Sequence, residues 1–184
     1  MNVLLAAFAY AVLSSSAAGY QVENVALGGR ATMSSSHSSA SVGYIGHATN
    51  AIDGNQNSNF HKGSCTHTER EMSPWWRVDL RTPHKIQYVT ITNTVSEPQR
   101  MNGAELLIGN SLANNGNNNP RCATISSIAS GATETFQCNW MVGRYVNLII
   151  RGREEWLTPC EVEVYGIPEE PISSCTCCRE TIRT

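Results

Sequence analysis

The run Asn50 to His67, NAIDGNQNSNFHKGSCTH, gathers three kinds of ligating or reactive group into eighteen residues. Asn50, Asp53, Asn55, Asn57, Asn59 and Ser64 supply oxygens, His61 and His67 supply imidazoles, and Cys65 supplies a sulfur. A run this polar, with Gly54 and Gly63 to let it double back, reads as a loop. Oxygens on a loop are what a hard cation such as Ca²⁺ requires. A cross-link through Cys65 would hold a neighbouring His rigid enough to bind something. The same residues also fit a solvated surface loop in which Asn and Asp close local turns. His61, Cys65 and His67 are zinc-ligand types, yet no fourth ligand stands at a recognisable spacing. Ser64, His67 and Asp53 are hydrolase types, but a triad needs a geometry that closeness in sequence does not provide. With no Gly-x-Ser-x-Gly elbow, HExxH or paired-carboxylate signature, the chain reads as non-catalytic.

Such a loop needs strands to hold it. In Ser73 to Leu80, SPWWRVDL, the residues Trp76, Val78 and Leu80 alternate with Arg77 and Asp79, the period of a half-buried strand. Trp75 and Trp76 open it as expected core anchors. Lys85 to Asn93, KIQYVTITN, is rich in β-branched and aromatic residues and predicts a second strand. Ala104 to Gly109, Thr133 to Trp140, Arg144 to Arg151 and Glu161 to Ile167 follow the same pattern. Thr94 to Gly103 is a loop, and the Asn-rich Asn110 to Arg121 predicts an exposed turn. Asn24 to Ser41 reads as a short strand followed by a Ser-rich loop. The mature chain shows no helical periodicity over three turns, so the fold class is all-β, a sandwich or barrel.

A chain of 184 residues suggests one domain with a tail. The formal net charge of -2 offers no basic stripe for nucleic acid. Met1 to Gly19 reads as a cleaved signal peptide: an apolar Val3 to Leu13, then small residues Ala17, Ala18 and Gly19 at the cut. Residues 20–168 form the expected domain and 169–184 a cysteine-containing tail. No later segment is long and apolar enough for a membrane-spanning helix, so a secreted protein without membrane insertion is expected. The seven cysteines then point to disulfides. Cys122 and Cys138 are spaced like a local staple, and Cys65 with Cys160 would tie the polar loop to the last strand. Cys175, Cys177 and Cys178 lie in the tail, and the odd total predicts a disulfide-linked homo-oligomer.

The blocks NVALGGRAT, NAIDGNQNSNFHKGSCTH, PWWRVDL, VTITN, GAELLIGN, GRYVNLII and CEVEVYG occur in the order that the F-type lectins have them. The resemblance covers roughly Asn24 to Ile167. It implies a single β-jelly roll, related to discoidin and coagulation-factor C domains, with long loops at one end that bind L-fucose on glycans. The family's sugar motif is a His, 26 residues, then Arg-x-Asp-x4 and a final Arg or Lys. His67 stands at the first position. The first Arg position falls on Thr94, whose single hydroxyl would contact the sugar and offset part of the loss, and the Asp on Ser96, both departures. Arg100 supplies the final basic residue if the loop is one residue shorter. Glu97 and Pro98 stand where the family can place a sugar-contacting cysteine pair. Phe60 and His61 supply the apolar contacts, with Tyr44 and His37 as further candidates.

The resemblance also implies a structural Ca²⁺ held by Asn50, Asp53, Asn55, Ser64, Cys160 and Glu161, several through backbone carbonyls, bracing the loop that carries His67. The resulting expectation is a secreted, calcium-containing lectin for fucosylated or related glycans, suited to innate immunity, agglutination or cell adhesion. Its rival is an adhesion module of the same fold that recognises protein through a degraded fucose site.

Overall fold

The computed structural model describes residues 21–39 and 43–169. The expected signal segment and the tail cysteines lie outside the described residues. In chain order the strands are β1 (Glu23–Asn24), β2 (Arg30–Met33), β3 (Ser38–Ser39), β4 (Tyr44–Ile45), β5 (Glu71–Met72) and β6 (Trp75–Asn93). They continue with β7 (Glu105–Gly109), β8 (Arg121–Thr124), β9 (Thr133–Ile149), β10 (Glu154–Glu155) and β11 (Pro159–Pro168). Short 3-10 turns interrupt the loops, and no α-helix occurs among the described residues.

Two pairs of runs that read as separate strands are each continuous. SPWWRVDL and KIQYVTITN join in β6, which bends where Arg81 takes a φ of 74° and the pairing with β9 shifts between Asp79 and His84. Thr133–Trp140 and Arg144–Arg151 join in β9, which bends at Asn139 (φ 50°) and Trp140 (φ 62°). A few left-handed residues thus turn a strand through a corner without ending its ladder. The first half of β6 pairs with β2 and with the second half of β9, and β7 and β8 extend that layer. The second half of β6 pairs with β11 and the first half of β9, and β1 lies outside β11. The two layers form a jelly-roll-like sandwich in which β6 and β9 belong to both.

Alternation fills the space between the layers. Trp76, Val78, Ile86, Ile91, Leu106, Ile108, Val146, Leu148, Val162 and Val164 are buried there. Trp76 also donates its indole N–H to the Ala48 carbonyl at 2.8 Å, which ties the polar loop to the core. Trp75, read as a second core anchor, instead lies half-buried on the outer face beneath the Arg77 guanidinium at 5.3 Å. The Asn-rich segment is exposed at most of its positions, as its reading as an exposed turn has it, but three positions turn inward. Gly116, Asn117 and Asn119 are buried, because Arg77 and Asn147 donate to the Asn115 carbonyl at 2.7 and 2.9 Å.

The segments around Asn50–His67, Thr94–Gly103 and Ile150–Thr158 meet at one end of the sandwich. Val95 N–H donates to the Ser58 carbonyl (2.9 Å) and Thr68 N–H to the Leu157 carbonyl (3.2 Å). Cys65 and Cys160, both fully buried, are bonded to each other, and Cys122 is bonded to Cys138. Both pairings follow the sequence reading.

Candidate functional site

At this end a cavity of about 410 Å³ opens among the loops. His67 and Arg100 stand in its lining, 33 residues apart in sequence, with Arg100 Nη1 3.4 Å from His67 Nε2. The geometry assigns the imidazole its tautomer. Nδ1–H donates to the Thr68 carbonyl at 2.7 Å, which can only accept, so Nε2 carries the lone pair that Arg100 faces. Burial lowers the His67 pKa below the usual histidine value, and the nearby His37 and Arg100 push the same way. The Thr68 carbonyl and Glu69 oppose them. The result is a neutral ring with an acceptor aimed inward. Its backbone is pinned as well: the His67 carbonyl accepts from His37 N–H at 2.8 Å, and Gly46 passes alongside. A Cβ on Gly46 would lie 2.5 Å from His67 Cβ, so only glycine permits that passage.

Arg100 rides on the 3-10 turn Pro98–Met101. Its guanidinium sits over the Trp156 ring at 4.5 Å, and Arg70 sits against the same ring at 5.6 Å. Arg153 donates to the Arg100 carbonyl at 3.2 Å and the Asn102 carbonyl at 2.6 Å, fixing the turn from below. Trp156 and Arg153 drew no attention as sequence. A tryptophan four residues before Cys160 was the available signal, without a spacing to connect it to Arg100.

Next to His67 the lining is aromatic. Phe60 meets Tyr44 edge-on at 5.2 Å and lies 4.0 Å from the His61 ring, while His37 lies 4.7 Å from His67. Tyr44 is buried and donates its hydroxyl to the Cys65 carbonyl at 2.6 Å, so it shapes the wall through its ring. Of the residues read as sugar contacts, His67, Arg100, Phe60 and His61 therefore share one cavity. Thr94 does not join them. It is buried, its hydroxyl donates to the Ser58 carbonyl at 3.2 Å and accepts from Ser96 N–H at 3.2 Å, and Ser96 and Glu97 line the cavity instead.

Beside the cavity the polar loop is built as a ladder of Asx turns. Asp53, Asn55, Asn57 and Asn59 each accept, through the side-chain oxygen, from the N–H two residues on, at 2.9 to 3.2 Å. Glu161, from β11, closes on this loop: Oε1 accepts from Gly54 N–H at 3.1 Å, while Oε2 is buried without a partner. Burial pushes the Glu161 carboxyl up to about 7, with Gly54 opposing and Asp53 and Glu163 adding to the rise. A fully buried carboxylate with one oxygen unsatisfied beside a second acid is a place where a cation fits. Ser64 is buried next to Cys65, and Asn50 donates its amide to the Cys65 carbonyl at 3.0 Å, which leaves its oxygen for a ligand. A β-bulge at Cys160 takes that residue out of the ladder with β6. Glu161 and Asp53 are thus close enough to influence each other's charge, and Asn50 is bonded to the residue whose disulfide partner, Cys160, precedes Glu161. Cys65 is spent in its disulfide and has no thiolate for zinc.

Residues 50–148 match the model of the NedA-like, galactose-binding domain family. Fucolectin-4 of Anguilla japonica is 52% identical over 151 residues, 81% of this chain and 83% of that protein. Fucolectin of Anguilla anguilla is 49% identical, over 79% of this chain and 92% of its own. Among solved structures, a serum F-lectin (fucolectin) from Morone saxatilis superposes with a TM-score of 0.77 at 55% identity, over 83% of this chain. This chain spans about half the length of that one, 51%. The lectin domain of lectinolysin, complexed with Lewis B antigen, superposes with a TM-score of 0.65 at 28% identity, over 79% of this chain and 97% of that one.

Proposed function

The chain belongs to the fucolectin, or F-type lectin, family, and from that premise we propose that its cavity binds L-fucose at the end of a glycan. One observation carries the reading: a neutral imidazole acceptor and a guanidinium stand 3.4 Å apart in a cavity whose lining is otherwise largely aromatic. A sugar hydroxyl can donate to His67 Nε2 while its oxygen, or that of a neighbouring hydroxyl, accepts from Arg100. The methyl of a 6-deoxy sugar packs against Phe60 and His61. The sugar thus replaces the long, weak contact between His67 and Arg100 with hydrogen bonds to itself. No bond is made or broken, in keeping with a family of lectins, and the protein is read as non-catalytic.

A Ca²⁺ ion held by Asn50, Asp53, Asn55, Ser64, Cys160 and Glu161 belongs to this proposal. It would satisfy Glu161 Oε2 and couple the Asx ladder to β11, with the Cys65–Cys160 bond alongside. Secretion is proposed on the two disulfides, the character of residues 1–19 and the serum source of the Morone relative. No helix among the described residues is long and apolar enough to cross a membrane. The inward turn of Thr94 favours one rival, an adhesion module that recognises protein, because a guanidinium of the family's sugar motif is missing there. Losing a charged hydrogen bond of about 1.5–3 kcal/mol weakens binding about 10- to 100-fold.

A glycan array of the full chain, in calcium and in EDTA, tests the reading. Fucosylated hits that weaken in EDTA and vanish in His67→Ala and Arg100→Ala are expected. A blank array from folded protein would favour the adhesion module instead.

A further inference from the structure

Glu97 occupies a backbone conformation that its side chain disfavours. Its φ of 55° and ψ of 51° lie in the left-handed region, which glycine enters freely and a residue with a Cβ enters at a cost. Within the turn that follows, only the Gln99 amide uses the carboxylate: Pro98 opens the 3-10 turn, and the Glu97 carbonyl accepts from Arg100 N–H at 3.1 Å whatever its side chain. Glu97 nevertheless stands in the cavity's lining, exposed, with the Gln99 amide donating to its carboxylate. Backbone strain kept at a cavity wall points to a role for the group it positions.

The charges around the cavity indicate that role. Arg100 is its one arginine and Glu97 its one carboxylate among the described residues. Arg100 alone would favour an acidic ligand, as guanidinium groups do. Glu97 offsets that preference and adds an acceptor to the same lining. We propose that Glu97 sets the class of sugar admitted: its carboxylate accepts from a hydroxyl of a neutral sugar and turns away sugars that carry a carboxylate. The proposal rests on the fucose reading of the same cavity.

Calorimetric titration of the full chain with L-fucose and with N-acetylneuraminic acid, alongside thermal melts, tests it in Glu97→Gln and Glu97→Gly. The unsubstituted chain is expected to bind fucose and reject the acidic sugar. Glu97→Gln should bind fucose about tenfold more weakly and begin to bind the acidic sugar. Glu97→Gly should lose fucose affinity to a similar degree while its melting temperature does not fall, because glycine relieves the strained backbone. If both variants bind fucose as the unsubstituted chain does and still reject the acid, Glu97 is a bystander and the proposal is overturned. A lowered melting temperature in Glu97→Gly overturns it too, by making the residue part of the turn's own stability. Failure of the unsubstituted chain to bind fucose removes the lectin reading itself, which is a different result.

Discussion

At His67 the proton decides the chemistry. The ring faces Arg100 through Nε2, with His37 against one side and Glu69 nearby. Protonation would replace the acceptor with a donor and set a second cation beside the guanidinium. Because burial lowers the folded-state pKa from 6.5, the neutral ring predominates at pH 6.5 and above. Sugar affinity is therefore expected to be level from neutral pH down to about 6.5, then to fall about tenfold per pH unit below the folded pKa. The accompanying contribution to stability has the same sign: present above the unfolded value, and lost as pH falls through the folded one. Titrating fucose at a series of pH values checks this, and a flat profile to pH 4.5 would count against His67 as the acceptor. Trp156 supports Arg100 from behind, so Trp156→Leu should weaken fucose binding about 2- to 5-fold and Trp156→Phe should restore most of it. Equal affinities in both variants would leave the ring with packing alone. His67 and Arg100 were legible because motif spacing needs no coordinates. The inward turn of Thr94 was not, since it depends on Asn93, whose amide donates to the Pro98 and Ile128 carbonyls and folds the loop back.

Among the elements, alternation predicted each strand's inward face well but not its length. WWRVDL and KIQYVTITN look like two strands because Arg81 to Pro83 break the pattern between them, and it takes the pairings with β9 and β11 to show the strand resuming at His84. The Asn-rich segment is the exposed turn its composition indicated at most positions, and the burial of Gly116, Asn117 and Asn119 within it was not readable because it depends on Arg77 and Asn147 from distant strands. The disulfides were readable from spacing, and they differ in what they stabilise. Cys65–Cys160 spans 95 residues and Cys122–Cys138 spans 16. On the chain-entropy model the longer closure is worth about 4–5 kcal/mol and the shorter about 3 kcal/mol. Replacing both members of each pair by Ser should therefore cost more at Cys65 and Cys160, as read from urea midpoints. It should also cost sugar affinity only there, because that bond lies two residues from His67. Equal fucose affinity in the two double variants would separate the disulfide from the site.

For the whole molecule, the all-β sandwich with its loops gathered at one end was legible from the sequence, while its assembly was not. An ion bound only by the folded chain raises the melting temperature by mass action, so EDTA should lower it and added Ca²⁺ restore it. A melt unmoved by either would argue against the cation. The proposed covalent oligomers through Cys175, Cys177 or Cys178 would make a shallow site useful by presenting several copies at once. Slower migration on a non-reducing gel, collapsing to monomer under reductant, is the expected result, and identical migration removes the idea.

Since β6 and β9 each run through both layers, neither sheet can melt without taking with it two strands that the other depends on. Amides along the two strands should then surrender their deuterium protection in a single step, from the ligand-bearing rim to the far pole. A lectin built this way carries no soft half, and the rigidity of its rim is borrowed from the whole length of two shared strands.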